Sequence, residues 1–244
     1  LLREKPAIGR LNLMINYCEK FLFMHIHRTG GTSIEAFLTE SGAGALELPR
    51  DRAVKEDLLR FQHIHASKAR EEFERRELPF AEFFKFSFMR NPWERLVSFF
   101  FYDHSTYVAL GKAEDIPFAE YVKRKISRHP FKFEPYNRNE FIFGGMGKRP
   151  KEERRVTFTP GFWLLDDQKN VLVDFVGRFE NLQEDFDKIC DRIEIPRGSL
   201  KKLRACGNPD SCPWHKDHGI MIPKYDHYTK YYDDETLEIV NCLI

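Results

Sequence analysis

Three short phenylalanine-rich runs, each followed by a stretch of helical periodicity, restrict this chain to a small set of architectures. Phe21-Leu-Phe-Met-His-Ile-His27, Phe61-Gln-His-Ile-His65 and Phe84-Lys-Phe-Ser-Phe-Met-Arg90 have the length and composition of buried strands. Thr32 to Glu40, Ser67 to Arg76 and Pro92 to Asp103 follow them as helix-like segments. Strand and helix in alternation argue a parallel sheet whose crossover helices cover its faces. Ligands of such sheets bind beyond the carboxyl ends of the strands, here near residues 28, 65 and 90.

Further along, Val171 to Phe179 reads as another strand, and a helix from Asn181 to about Ile193 carries Leu182, Phe186 and Ile189 at helical spacing. A last helix, with Asp233 or Asp234 as N-cap, is expected to turn Leu237, Val240 and Leu243 inward. Residues 104–160 read as helices and loops laid over the sheet, and 196–223 as irregular. No low-complexity linker divides the chain, so residues 1–244 are expected to form one domain. With 42% hydrophobic residues and 23 Phe the chain has enough apolar surface for a sizeable core.

Charge narrows the partners. The 39 basic and 38 acidic side chains leave a net charge of +1, so the chain as a whole is not built to hold nucleic acid or acidic lipid, and any anion site must be local. The longest apolar run, Phe21 to Ile26, is strand-sized, which is too short for a membrane span. The sequence begins at Leu1 without Met, leaving open a removed signal or anchor. Five Cys are too sparse for a disulfide scaffold; only Cys206 and Cys212 are spaced for a local bridge. No Asn-x-Ser/Thr sequon occurs.

The first strand runs into Arg28-Thr29-Gly30-Gly31-Thr32-Ser33 and then a helix. That arrangement turns backbone N–H groups and a helix N-terminus toward an anion, with glycines for close approach and hydroxyls and a guanidinium to complete the cradle. The Walker A spacing is absent, and a plain turn is the other reading of the two glycines. The third strand ends in Arg90-Asn91-Pro92-Trp93-Glu94-Arg95-Leu96-Val97-Ser98, where Asn91 caps a helix and Pro92 takes its first position. Ser98 lies two turns after Asn91 on the same face, within reach of a ligand held by Arg90. A strand-end salt bridge for Arg90 and a serine satisfied by its own helix remain the alternative.

Together, Phe23 to Ser33 and Arg90 to Ser98 resemble the paired phosphate motifs of the sulfotransferases that use 3′-phosphoadenosine 5′-phosphosulfate. Phe175-Val-Gly-Arg-Phe-Glu-Asn-Leu182 and Tyr231-Tyr-Asp-Asp-Glu-Thr-Leu237 resemble later segments of the branch that includes Golgi carbohydrate sulfotransferases and bacterial relatives. The resemblance implies a P-loop-like three-layer α/β fold, a central parallel sheet flanked by helices. It implies that Arg28, Thr29, Gly30, Gly31, Thr32 and Ser33 hold the 5′-phosphosulfate and that Arg90 and Ser98 hold the 3′-phosphate. The loop cation in relatives is usually Lys. Arg28 stays protonated, so it can stabilise charge but is a poor proton donor.

His63 and His65, two apart on an expected strand, share a face, and a neutral imidazole suits a base. The segment Phe61 to Ala66 resembles the paired-His strand of heparan sulfate 2-O-sulfotransferases, which implies His65 as the base with His63 orienting it. His25 and His27 read as structural, orienting the loop. Cys206, Cys212, His215 and His218 fit no common zinc spacing, and no residue set requires a metal. Lys201, Lys202 and Arg204 are candidates to line the path of an anionic acceptor. The expected reaction moves a sulfuryl group in line to a hydroxyl, of a carbohydrate by resemblance, in the cytoplasm as in bacterial relatives or in a Golgi lumen with the anchor removed. A kinase-like enzyme and a non-catalytic nucleotide or glycan-binding module are the rivals.

Overall fold

The computed structural model describes residues 15–43, 63–103, 115–127, 160–203 and 225–241. Among them, a four-stranded sheet runs in the order β1 (Ile15–Asn16), β2 (Phe21–Met24), β3 (Phe84–Met89), β4 (Phe175–Arg178). β2, β3 and β4 are parallel, with Phe23 opposite Phe86 and Phe86 opposite Phe175. β1, which the sequence reading did not anticipate, pairs antiparallel with β2. The helices are α1 (Gly31–Glu40), α2 (Ala66–Arg75), α3 (Pro92–Asp103), α4 (Phe118–Ser127), α5 (Pro160–Leu164), α6 (Leu182–Arg192) and α7 (Asp234–Asn241).

The period-2 alternation of β2 divides its side chains between two cores. Leu22 and Met24 face Ala66, Ala69 and Phe73 of α2 and Trp163 and Leu164 of α5. Phe21 and Phe23 face the other way, with Phe86 and Phe88, onto Ile34 and Leu38 of α1 and Phe186 and Ile189 of α6. The result is three layers, helices on both faces of a mostly parallel sheet, as the alternation in the sequence required. Each fully buried Phe contributes about 1.5–3 kcal/mol of burial energy. A third cluster joins α3, α4 and α7 through Leu96, Val97, Phe100, Phe118, Val122 and Val240.

Several expectations need correction. Residues 61–62 lie outside the described residues, and 63–65 form no strand: His63 is in a turn and His65 is the extended N-cap residue of α2. β3 is paired on both edges by β2 and β4, and β2 lies between β1 and β3, so 63–65 do not enter between the strands that lead into the two motifs. The apolar stripe Ala66, Ala69, Phe73 then draws the chain directly into a helix against the sheet. In α7, Asp233 caps as expected, its Oδ1 accepting from the Thr236 N–H at 2.8 Å, but Leu237 is 36% exposed while Thr236 and Val240 face inward. Leu243, the Cys206 and Cys212 bridge and His215 and His218 lie outside the described residues.

Candidate active site

β2 ends at Met24, and His25 to Gly30 carry the chain from the sheet edge to α1. Two residues in this loop have left-handed backbone, Arg28 at φ 66 and Gly30 at φ 85. Gly30 is the N-cap of α1, and its carbonyl accepts from the Ser33 N–H at 3.0 Å. A Cβ on Gly30 would stand 2.8 Å from Leu182 Cδ2 and 3.2 Å from Phe179 Cδ2, so only glycine satisfies both the backbone and the packing. Thr29 is fully buried and its hydroxyl donates to the Ile26 carbonyl at 2.8 Å, fixing the turn rather than facing outward. The loop therefore presents the N-terminus of α1, with Thr32 and Ser33 in its first turn, at the carboxyl end of β2.

The neighbouring strand delivers the second element to the same place. Asn91 Oδ1 accepts from the Glu94 N–H at 3.1 Å, the cap expected for α3. Arg90 Nη1 reaches the Arg28 carbonyl at 3.4 Å, and Ser98 Oγ accepts from Arg28 Nε at 3.0 Å. Arg28 also lies over the Tyr102 ring, 4.9 Å from its centroid. The serine is thus bonded to the cation of the glycine loop across the gap between two strand ends. Arg90 does make the strand-end salt bridge foreseen as an alternative, with Glu94 at 2.6 Å, yet its buried Nε has no hydrogen-bond partner among the described residues.

Arg95 adds a third guanidinium. It is 3% exposed, its Nε donates to the His27 carbonyl at 2.8 Å, and burial together with Arg90 draws its pKa down to about 9. The sequence reading passed over it. The signal was present: Asn91, Arg95, Ser98 and Tyr102 stand at i, i+4, i+7 and i+11, one face of α3.

The turn Phe179–Asn181, at the end of β4, closes the site from the next strand. The Phe179 ring lies under the Arg90 guanidinium, 4.0 Å from centroid to Cζ, and Glu180 Oε1 accepts from the Asn91 N–H at 2.7 Å. This turn touches both phosphate motifs, through Phe179 against Gly30 and Glu180 against Asn91.

On the other side of the loop stand four histidines. His63 Nδ1 donates to the His25 carbonyl at 2.7 Å, and its ring stacks on His27 with centroids 3.5 Å apart. Burial and the nearby His25 lower the His63 pKa to about 3; burial, then His63 and His25, hold His27 well below the usual range. His65 is 4% exposed and stacks on Trp163 at 4.5 Å. The site residues expected from sequence are therefore gathered at one end of the sheet, with His63 bonded to the loop backbone and His65 packed on Trp163. Lys201 is not among them. It bonds Glu40, at the far end of α1, about 14 Å along the helix from the phosphate loop. Lys202 follows it in the chain, and Arg204 is outside the described residues.

Among the described residues no group of three or more His, Cys, Asp or Glu is placed to hold a metal ion, and no helix is long and apolar enough to cross a membrane. Compared with known proteins, residues 11–205 match the family model described as the sulfotransferase family. Neither the curated proteins nor the solved structures give a match.

Proposed function

The chain belongs to the sulfotransferase family, and from that premise we propose that it transfers a sulfuryl group from 3′-phosphoadenosine 5′-phosphosulfate to a hydroxyl of a carbohydrate acceptor. One observation carries the reading: two anion-binding elements on adjacent parallel strands meet through the Arg28–Ser98 and Arg90–Arg28 contacts. A nucleotide with phosphates at both its 5′ and 3′ ends needs two such elements side by side. The residues present fit it. The α1 N-terminus with Arg28, Thr32 and Ser33 would hold the 5′-phosphosulfate, and Arg90, whose buried Nε has no hydrogen-bond partner among the described residues, would hold the 3′-phosphate with Ser98.

When bound, the donor supplies an activated sulfuryl group on a phosphate leaving group. Arg28 and the α1 N–H groups stabilise the charge that develops as the phosphate leaves, and the rigid strand ends hold the reacting centre in line. For the base, the geometry favours His63 over His65. Donation from Nδ1 to the His25 carbonyl fixes the tautomer, so Nε2 carries the lone pair that accepts the hydroxyl proton. Its lowered pKa keeps the imidazole neutral, and an anionic donor beside it would raise its basicity. His65, buried against Trp163, shapes the wall behind it.

The first test is a melting experiment. At 100 times its dissociation constant, 3′,5′-adenosine bisphosphate should stabilise the protein by about 2.7 kcal/mol, while ATP with magnesium should do much less. A shift with ATP alone would favour a kinase-like enzyme. Bisphosphate binding without turnover of labelled donor on any hydroxyl acceptor would favour a non-catalytic module.

A further inference from the structure

His25 and Glu35 have so far been given no part in the chemistry. His25 leaves β2 toward the phosphate loop and Glu35 lies on α1; they are 5% and 8% exposed, with His25 Nδ1 2.6 Å from Glu35 Oε1. A carboxylate can only accept here, so Nδ1 carries a proton. The imidazole stacks on Phe23, its plane inclined by 12°, and its edge fills the space beside the first residue of α1. A Cβ on Gly31 would stand 2.1 Å from His25 Cδ2 and 2.2 Å from Nε2. The second glycine of the loop is therefore what admits this ring to the anion-binding turn. Nε2 has no hydrogen-bond partner among the described residues. One ring nitrogen is tied to a buried carboxylate while the other faces the loop unpaired, which is the arrangement of an oriented proton carrier.

Resting on the sulfuryl-transfer reading above, we propose that His25, held by Glu35, is the general acid that protonates the departing 5′-phosphate. The acceptor oxygen forms its bond to sulfur and yields its proton to His63. The bond between sulfur and the bridging oxygen breaks, its electron pair goes to that phosphate oxygen, and the Nε2 proton of the His25 imidazolium follows. Water then reprotonates His25. Arg28 cannot fill this part, because a guanidinium does not release a proton under working conditions. Glu35 both balances the imidazolium and aims its Nε2–H at the loop. The other charged or titratable groups packed around His25 are His63, with ring centroids 4.5 Å apart, and His27, which itself feels Arg28 and Arg95.

The test uses 3′,5′-adenosine bisphosphate for binding and the donor, with water as acceptor, for single-turnover cleavage. Calorimetry in two buffers of different ionisation enthalpy should show proton uptake when the wild type binds the bisphosphate on the alkaline side of neutrality. His25→Gln should abolish that uptake while folding normally, and should slow donor cleavage about 10²–10⁴-fold, the range of a lost general acid. The limb of the wild-type pH–rate profile that reports a general acid should vanish in His25→Gln. If uptake and limb both persist in the variant, His25 is not the acid. Glu35→Gln decides the matter should His25→Gln fail to fold: loss of the carboxylate should move the limb to lower pH, and an unmoved limb overturns the proposal. A wild type that does not bind the bisphosphate at all removes the sulfuryl-transfer reading itself, and this inference with it.

Discussion

At the scale of single residues, the site depends on groups that serve two partners at once. Arg90 holds Glu94 and the Arg28 carbonyl, yet retains a buried Nε with no hydrogen-bond partner among the described residues, so the proposed 3′-phosphate would complete rather than replace its bonding. Arg90→Ala should weaken 3′,5′-adenosine bisphosphate binding by about 1.5–3 kcal/mol, the scale of a charged hydrogen bond, and affect a 5′-only nucleotide less. Equal losses for both ligands in a calorimetric titration would give Arg90 a purely structural part. The two histidines separate in the same way. His63→Gln should cut sulfuryl transfer about 10²–10⁴-fold with donor affinity nearly unchanged, whereas His65→Gln should keep most of the rate. If the His65 variant is the dead one, the base returns to the residue that sequence resemblance had favoured.

Among the elements, the turn Phe179–Asn181 does what neither phosphate motif does alone. It packs on Gly30, supports the Arg90 guanidinium and caps the Asn91 N–H. Asp185 of α6 fixes the strand end before it, accepting from the Arg178 N–H at 2.8 Å. Phe179→Leu keeps much of the apolar contact but removes the ring face under Arg90. Bisphosphate affinity should fall by about 0.5–2 kcal/mol, the worth of a cation–π contact, with little change in melting temperature. An unchanged affinity would show that Glu94 alone positions Arg90. The sequence marked this segment by resemblance, but not its contacts. A strand-to-helix turn has no periodicity, and its partners lie about 90 and 150 residues away along the chain.

For the whole molecule, the packed histidines couple stability to pH. His63 and His27 have pKa values below the ordinary value near 6.5, so the unfolded chain binds more protons than the folded one as the solution is acidified. The stability they leave intact at neutral pH is thus lost as pH falls below about 6.5, for His63 down to about 3, by up to about 1.4 kcal/mol per unit for each group that takes up its proton. Urea midpoints at pH 7.5 and 5 should differ accordingly, and His63→Asn should flatten the difference; a midpoint indifferent to pH would contradict the burial of these rings. The Phe-rich runs by themselves marked β2 and β3 as strands and told which side chains share a face, because a period of two puts alternate side chains on opposite sides of any sheet. The cap at Asn91 and the glycine loop were equally legible, since turn and cap chemistry acts within four residues. What only the tertiary structure decided were the pairings between distant segments. It placed His63 in a turn and His65 at the N-cap of α2, carried Lys201 to the far end of α1, and bonded Arg28 to Ser98 and His25 to Glu35. Such contacts follow from which surfaces the packed layers bring together, and local sequence carries no record of that choice.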